Sequence, residues 1–127
     1  EAIDMLQAIN TGHDGSLSTG HANSPKDMLS RLESMVLMGM DLPLGAVQRQ
    51  IASGIDIIVH LGRLRDKSRK VLEVSEILDY QDGEILVSPL YRFEETGEKD
   101  GKIQGTWRKM DDLVHTQKLL AAGYKEV

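Results

Sequence analysis

The order of apolar and polar positions along the chain predicts helices in its first half. Apolar residues recur every three positions over residues 1–10, which favours a helix with one buried face. A second helix is predicted over residues 25–39, because Ser24 is a favourable N-cap and Pro25 suits the first helical position. Pro43 starts a third predicted helix. In the helix over 25–39 and the helix that starts at Pro43, the expected buried positions are Met28, Leu29, Leu32, Met35, Val36, Leu44, Val47 and Ile51.

Other segments have the alternation of a strand. Residues 15–20 are predicted to form a short buried strand around Leu17 that delivers His21 to a sheet edge. From Gly54 the period changes from helical to two, and the sequence predicts a mostly buried strand. The apolar positions of this strand are Ile55, Ile57, Val59 and Leu61.

A hairpin dominates the prediction for the second half. The dipeptide Asp82-Gly83 favours a tight turn between strands at residues 71–80 and 84–93. Pro89 predicts that the second of these strands lies at an edge or is interrupted. The expected remainder is a mobile loop over residues 94–102, a short strand over 103–108 and a helix over 111–122. The mixture of helices and antiparallel strands predicts an α/β fold.

The length, charge and composition of the chain exclude several classes of function. A chain of 127 residues is expected to form one compact domain. Its net charge of −5 argues against binding nucleic acid by phosphate neutralisation. The absence of cysteine excludes disulfides, thiol catalysis and a cysteine zinc site. No apolar run approaches the ~18 residues that span a bilayer. The start at Glu1, without methionine, is typical of an excised segment.

The densest group of candidate functional residues lies between Thr11 and Pro25. Histidines, glycines and hydroxyl side chains together suit a site where backbone approaches a phosphate closely. The imidazole of His21 is able to donate a hydrogen bond to a phosphate oxygen, and the alternative is a histidine that caps a strand or helix end. His13 has the spacing of a metal ligand with His21, but no further correctly spaced ligand joins them. A structural role for His13 is therefore favoured.

A basic cluster follows the strand predicted after Gly54. Arg63, Arg65 and Arg69 are suited to bidentate pairing with phosphate or with carboxylates of a neighbouring subunit. A solvated turn is the alternative interpretation. The sequence contains no Gly-x-x-x-x-Gly-Lys, so the chain cannot bind a nucleotide through that loop.

The segments Thr11-Gly12-His13 and His21-Ala22-Asn23 resemble the histidine box of the type II/IV secretion ATPases. Residues 1–10 are similar to the run after the Walker B strand in the tight-adherence (Flp pilus, Cpa-type) branch. The resemblance implies that residues 1–127 are a single domain, the C-terminal portion of an incomplete RecA-like P-loop ATPase domain. Its implied parts are a histidine box at 11–25, a helical region at 25–53, a strand and hairpin region at 55–108 and a C-terminal helix at 111–122.

The same resemblance implies a function and site residues. The intact protein is expected to hydrolyse ATP with Mg²⁺ as a homo-hexamer on the cytoplasmic face of the inner membrane. It would work with membrane platform proteins in secretion or pilus assembly, without nucleic acid. His21 is implied to face the γ-phosphate, and Glu1 to lie near the metal and attacking water. The implied nucleotide-binding residues are His13, Thr19, Arg63 and Arg65.

The chain departs from the resembled family at two positions near its end. Trp107 and Lys109 stand where the resembled family usually has glycine and proline.

The chain by itself is expected to bind no cofactor and to lack ATPase activity, because the phosphate loop is missing. Two other functions stay open at this point: a self-contained protein-interaction module, and a small hydrolase that uses His13 or His21 with a nearby aspartate.

Overall fold

The computed structural model describes residues 17–125, and in that range it contains three helices and four strands. The strands form one antiparallel sheet in the order β1-β2-β3-β4. The helix predicted over residues 1–10 lies outside the described residues. The elements are α1 (Pro25–Gly39), α2 (Leu44–Gly54), β1 (Ile57–Arg63), β2 (Arg69–Gln81), β3 (Glu84–Lys99), β4 (Lys102–Lys109) and α3 (Gln117–Ala121).

The described residues divide into two compact units. The first contains the residues up to Asp56 together with Ile77–Val87, and therefore holds α1, α2 and the tip of the β2–β3 hairpin. The second contains Ile57–Glu76 and the residues from Ser88 onward, and holds β1, β4, α3 and the remaining parts of β2 and β3.

The core of the first unit comes from the apolar faces of its two helices. Fully burying one aliphatic side chain contributes roughly 1.5–3 kcal/mol to the free energy of unfolding, so the buried side chains of these two helices carry much of the unit's stability. The helical periodicity is confirmed for α1 and α2, although Met35 and Leu44 are 46% and 48% exposed rather than buried. The buried apolar side chains are Leu29, Leu32, Val36, Val47, Ile51 and Ile77.

The strand predicted over residues 15–20 is wrong in its described part. Residues 17–22 have no regular secondary structure, and the Leu17 side chain is fully exposed. Leu17 is the only large apolar residue in the predicted strand. One such side chain gives a strand no second position with which to bury a face.

β1 confirms the predicted alternation but not the predicted burial. Ile57, Val59 and Leu61 are 41%, 51% and 65% exposed. Within residues 17–125, β1 is an edge strand that pairs only with β2. A period of two places these side chains on one face, but it does not require that another layer covers that face.

Two Asp-Gly turns set the register of the hairpins. Asp82 and Gly83 have φ angles of 52° and 82°, and Asp100 and Gly101 have φ angles of 53° and 76°. Positive φ at both central residues is the pattern of the two-residue turn whose twist matches antiparallel strands. The first turn confirms the predicted hairpin. The second corrects the loop predicted over residues 94–102, which instead forms the end of β3 and the start of β4.

Two further predictions are corrected in the second unit. β3 is an interior strand and continues through Pro89, although β4 pairs with it only from Tyr91 onward. Pro89 therefore lies where β3 is locally an edge, so the prediction is wrong for the strand as a whole but holds at Pro89 itself. The helix predicted over 111–122 is confined to α3, because residues 111–116 are not helical.

Candidate functional site

The segment that carries Thr19 and His21 leads directly into α1. Both side chains are exposed, and no hydrogen bond or ion pair joins His21 to another residue in the described range 17–125. Gly20 contacts the side chain of Met28, where a Cβ atom would lie 2.8 Å from the sulfur. His21 is therefore not a core histidine, and its imidazole is accessible to a ligand.

The N-terminus of α1 is capped by residues that follow His21. Ser24 Oγ accepts a hydrogen bond from the Asp27 backbone N–H at 3.0 Å, and Asp27 Oδ2 accepts one from the Asn23 N–H at 2.9 Å. The Ser24 bond satisfies a donor that the helix leaves open, and the Asp27 bond ties the residue before the cap to the first turn. The Asn23 N–H, followed by the Arg31 guanidinium, lowers the pKa of Asp27 below its ordinary value. The predicted Ser24 cap is confirmed, and the capping alternative for His21 does not apply to α1.

The two arginines predicted to bind the nucleotide lie in different surroundings in the second unit. Arg65 forms a forked pair with both carboxylate oxygens of Glu95, and Nη1–Oε2 is 2.7 Å. Glu98 approaches the same guanidinium at 3.6 Å. Glu95 is the main cause of the raised pKa of Arg65. Arg63 is exposed at the end of β1, where it lies directly opposite Arg69 on β2.

An aspartate that the sequence analysis did not select organises the loop between β1 and β2. Asp66 Oδ1 accepts hydrogen bonds from the backbone N–H and the hydroxyl of Ser68, at 2.9 and 2.5 Å. Its Oδ2 accepts the Ile103 N–H from β4 at 2.8 Å. The Ile103 bond and then the Ser68 bonds hold the pKa of Asp66 far below its usual value. An Asp two residues before Ser in a turn is a local signal for this motif.

A buried glutamate holds the segment before α3. Glu76 is only 1% exposed, and its two carboxylate oxygens accept the backbone N–H groups of Val114 and His115 at 2.8 and 2.9 Å. These bonds compensate the burial of a charged group. They also explain why residues 111–116 are not helical, since two of their N–H groups donate to a side chain rather than along a helix.

The candidate site residues are not brought together within the described residues. Glu1 and His13 lie outside the described residues. Thr19 and His21 belong to the first unit, whereas Arg63 and Arg65 belong to the second. Between residues 17 and 125, no three His, Asp or Glu side chains are grouped as a metal site would require. No helix in the same range has the length and apolar character needed to cross a bilayer.

Comparison with known proteins gives a consistent family match. The family described as type II/IV secretion system protein matches residues 1–116. A putative conjugal transfer protein of Mycobacterium tuberculosis is 33% identical over 85 residues, which cover 67% of this chain and 24% of that protein. The type IV secretion system protein PtlH of Bordetella pertussis is 35% identical over 88 residues, which cover 65% of this chain and 25% of PtlH. The chain spans about a quarter of the length of these relatives.

Proposed function

This chain belongs to the type II/IV secretion system protein family, and from that premise we propose that it is the C-terminal part of a secretion ATPase. The observation that carries the proposal is the family match over residues 1–116, which includes the histidine box at 11–25 and α1. The relatives named for conjugal transfer and type IV secretion support the same class of machinery. A free-standing interaction module is less well supported, because it does not account for this match.

The finer proposal follows the sequence resemblance. The intact protein would have a RecA-like ATPase domain and act as a homo-hexamer at the cytoplasmic face of the inner membrane. There it would work with membrane platform proteins of a secretion system or a tight-adherence pilus. ATP hydrolysis would supply the energy for export or assembly.

The residues of this chain fit a supporting role around bound ATP and Mg²⁺. His21 and Thr19 offer exposed donors in front of α1, which suits contacts with terminal phosphate oxygens. Arg63 has no ion-pair partner among residues 17–125, whereas Arg65 would first have to leave Glu95. We keep His13 and Glu1 as proposed partners of the same site. Because the chain has no Gly-x-x-x-x-Gly-Lys, cradling of the β- and γ-phosphates by such a loop would come from elsewhere in the protein.

The test compares the chain with the longer protein that contains it. The coding sequence upstream is expected to encode a phosphate-binding loop and a Walker B strand. The longer protein should then hydrolyse ATP with Mg²⁺, while the 127-residue chain should not. Replacement of the loop lysine in the longer protein provides the inactive control. Micromolar ATP binding by the 127-residue chain in calorimetry, or an upstream region without a phosphate loop, would contradict the proposal.

A further inference from the structure

The end of the β1–β2 hairpin brings two arginines together. Arg63 is the last residue of β1 and Arg69 the first of β2, and the register places them directly opposite each other. The adjacent hydrogen bond runs from the Leu64 N–H to the Ser68 carbonyl at 2.8 Å. Arg63 and Arg69 are therefore a non-hydrogen-bonded pair of the antiparallel ladder. In such pairs the Cα atoms are about 4.5 Å apart, closer than in hydrogen-bonded pairs. Both side chains leave the same face of the sheet.

This pair has no compensating carboxylate in the described range. Like charges directly opposite each other on a sheet destabilise it. Neither Arg63 nor Arg69 has an ion pair within residues 17–125. Every acidic side chain between residues 57 and 76 is already engaged: Asp66 with Ser68 and Ile103, Glu73 with Ser75 and Arg92, and Glu76 with Val114 and His115.

Arg65 provides the contrast within the same loop. One carboxylate, that of Glu95, takes both terminal nitrogens of its guanidinium. Arg65 is therefore compensated by carboxylates of its own unit, Glu95 with both oxygens and Glu98 at 3.6 Å. Two opposed guanidinium groups carry two positive charges and present more donors than one carboxylate has oxygens to accept. A doubly charged anion with three free oxygens matches both requirements.

We propose that Arg63 and Arg69 together bind a phosphate group at the end of the β1–β2 hairpin. The guanidinium of each arginine donates to phosphate oxygens, and the anion removes the repulsion between them. The phosphate is either free inorganic phosphate or the monoester headgroup of a lipid. Arg63 is shared with the proposed ATP contacts, but its pairing with Arg69 rests on the hairpin geometry, so the phosphate test does not depend on ATP hydrolysis.

The experiment uses the 127-residue chain and inorganic phosphate as the probe. NMR of the arginine Nε–Hε groups follows a phosphate titration, with chloride at matched ionic strength as the blank. Arg63→Gln and Arg69→Gln each remove one member of the pair. Arg108→Gln, on β4, removes the same charge from an exposed arginine of the same unit and is the matched control. Circular dichroism establishes that each variant is folded.

The expected result is a phosphate-dependent shift of the Arg63 and Arg69 resonances. Loss of either arginine should weaken binding about fivefold, as for the loss of one exposed charge pair, and Arg108→Gln should leave it unchanged. Phosphate should also raise the melting temperature of the unsubstituted chain more than that of either pair variant. Equal affinity in the unsubstituted chain and both pair variants would overturn the proposal.

A second arm distinguishes the two sources of phosphate. Vesicles of phosphatidylcholine that contain phosphatidic acid, whose monoester phosphate has three free oxygens, are compared with vesicles of phosphatidylcholine alone in a sedimentation assay. Binding to the anionic vesicles alone, lost in Arg63→Gln and Arg69→Gln, assigns the site to a lipid headgroup. Binding of inorganic phosphate without vesicle binding assigns it to a free phosphate. If neither inorganic phosphate nor the anionic vesicles bind at low salt, where exposed charges are not screened, the proposal is overturned.

Discussion

The guanidinium group of Arg65 holds both carboxylate oxygens of Glu95, and this joins the β1–β2 loop to β3 across 30 residues of sequence. Glu98 adds a longer contact to the same group. The pairing lowers the pKa of Glu95 and raises that of Arg65. An arginine that the sequence suggested for phosphate therefore has a partner within its own sheet.

Arg65→Gln should lower the melting temperature slightly, and the loss should depend on salt. Exposed ion pairs contribute little, and at about 1 M salt the screening length falls to roughly 3 Å. Arg65→Lys keeps the charge but not the forked geometry, so it should restore only part of the loss. Thermal unfolding in low and high salt measures this, and an equal loss at both would contradict the prediction.

Asp66 should make the stability of the chain depend on pH in the acid range. Its folded-state pKa lies below the value of about 3.9 expected when unfolded. Its contribution is therefore fully present above that unfolded value and is lost as the pH falls through the folded pKa. Urea unfolding between about pH 6 and pH 3 should show a smaller decline for Asp66→Asn than for the unsubstituted chain. Asp82→Asn, which keeps an Asx-Gly turn, serves as the control, and identical pH profiles for all three chains would refute this role.

Among the carboxylates of the sheet, substitution of Glu76 should cost the most free energy of unfolding. Glu76→Ala leaves two backbone N–H groups without their acceptors, so we expect a loss of about 2–4 kcal/mol in the free energy of unfolding. Glu76→Gln retains one acceptor oxygen and should lose less. Hydrogen exchange should show faster exchange at Val114 and His115 in both variants. Glu98→Ala is the exposed control, and a loss no larger than that control would argue against an anchoring role.

Trp107 should stabilise the irregular part of β2, and urea unfolding followed by circular dichroism measures this in variants that lack the only tryptophan. Its indole Nε1 donates to the Val71 carbonyl at 2.6 Å, beside the register shift at Leu61, and its ring meets Phe93 edge-on at 5.5 Å. Trp107→Phe should keep the ring contact and lose about 1 kcal/mol with the hydrogen bond. Trp107→Ala loses both and should cost more. Equal stability of these two variants would mean that the ring contact contributes nothing.

His21→Ala, made in the longer protein, should leave ATP binding nearly unchanged and lower turnover by roughly 10²–10³-fold, as for loss of one hydrogen bond to developing charge. A purely structural His21 would instead reduce thermal stability, with binding and turnover falling together. His60→Ala, in β1, is the control histidine. Measurements of melting temperature, nucleotide affinity and steady-state rate on each variant separate these outcomes. Unchanged turnover and stability would remove His21 from the mechanism.

Local signals in the sequence were sufficient for several elements. Ser24 and Pro25 specify the start of α1, and Asp82-Gly83 specifies the first hairpin, because capping and positive φ depend on a few adjacent residues. The second hairpin carries the same signal at Asp100-Gly101. The acidic residues around it favoured a loop instead, although exposed strands of a sheet tolerate such residues.

Contacts between distant residues could not be predicted in the same way. The Glu76 bonds to Val114 and His115, which keep residues 111–116 out of a helix, join positions separated by 38 and 39 residues. The engagement of Arg65 by Glu95 is equally remote from local patterns. The exposure of Val59 depends on the position of β1 at the sheet edge, which alternation alone does not specify. The proposed roles of His21 and Glu1 came from the family resemblance and stay predictions.

The order β1-β2-β3-β4 also has a consequence for how the sheet forms. Each strand pairs with its neighbour in the sequence, and two of the three connections are two-residue turns. Contacts of this kind close short loops, and chains rich in local contacts fold faster than those that must join distant segments. The sheet should therefore assemble hairpin by hairpin, without first joining segments that are distant in the sequence.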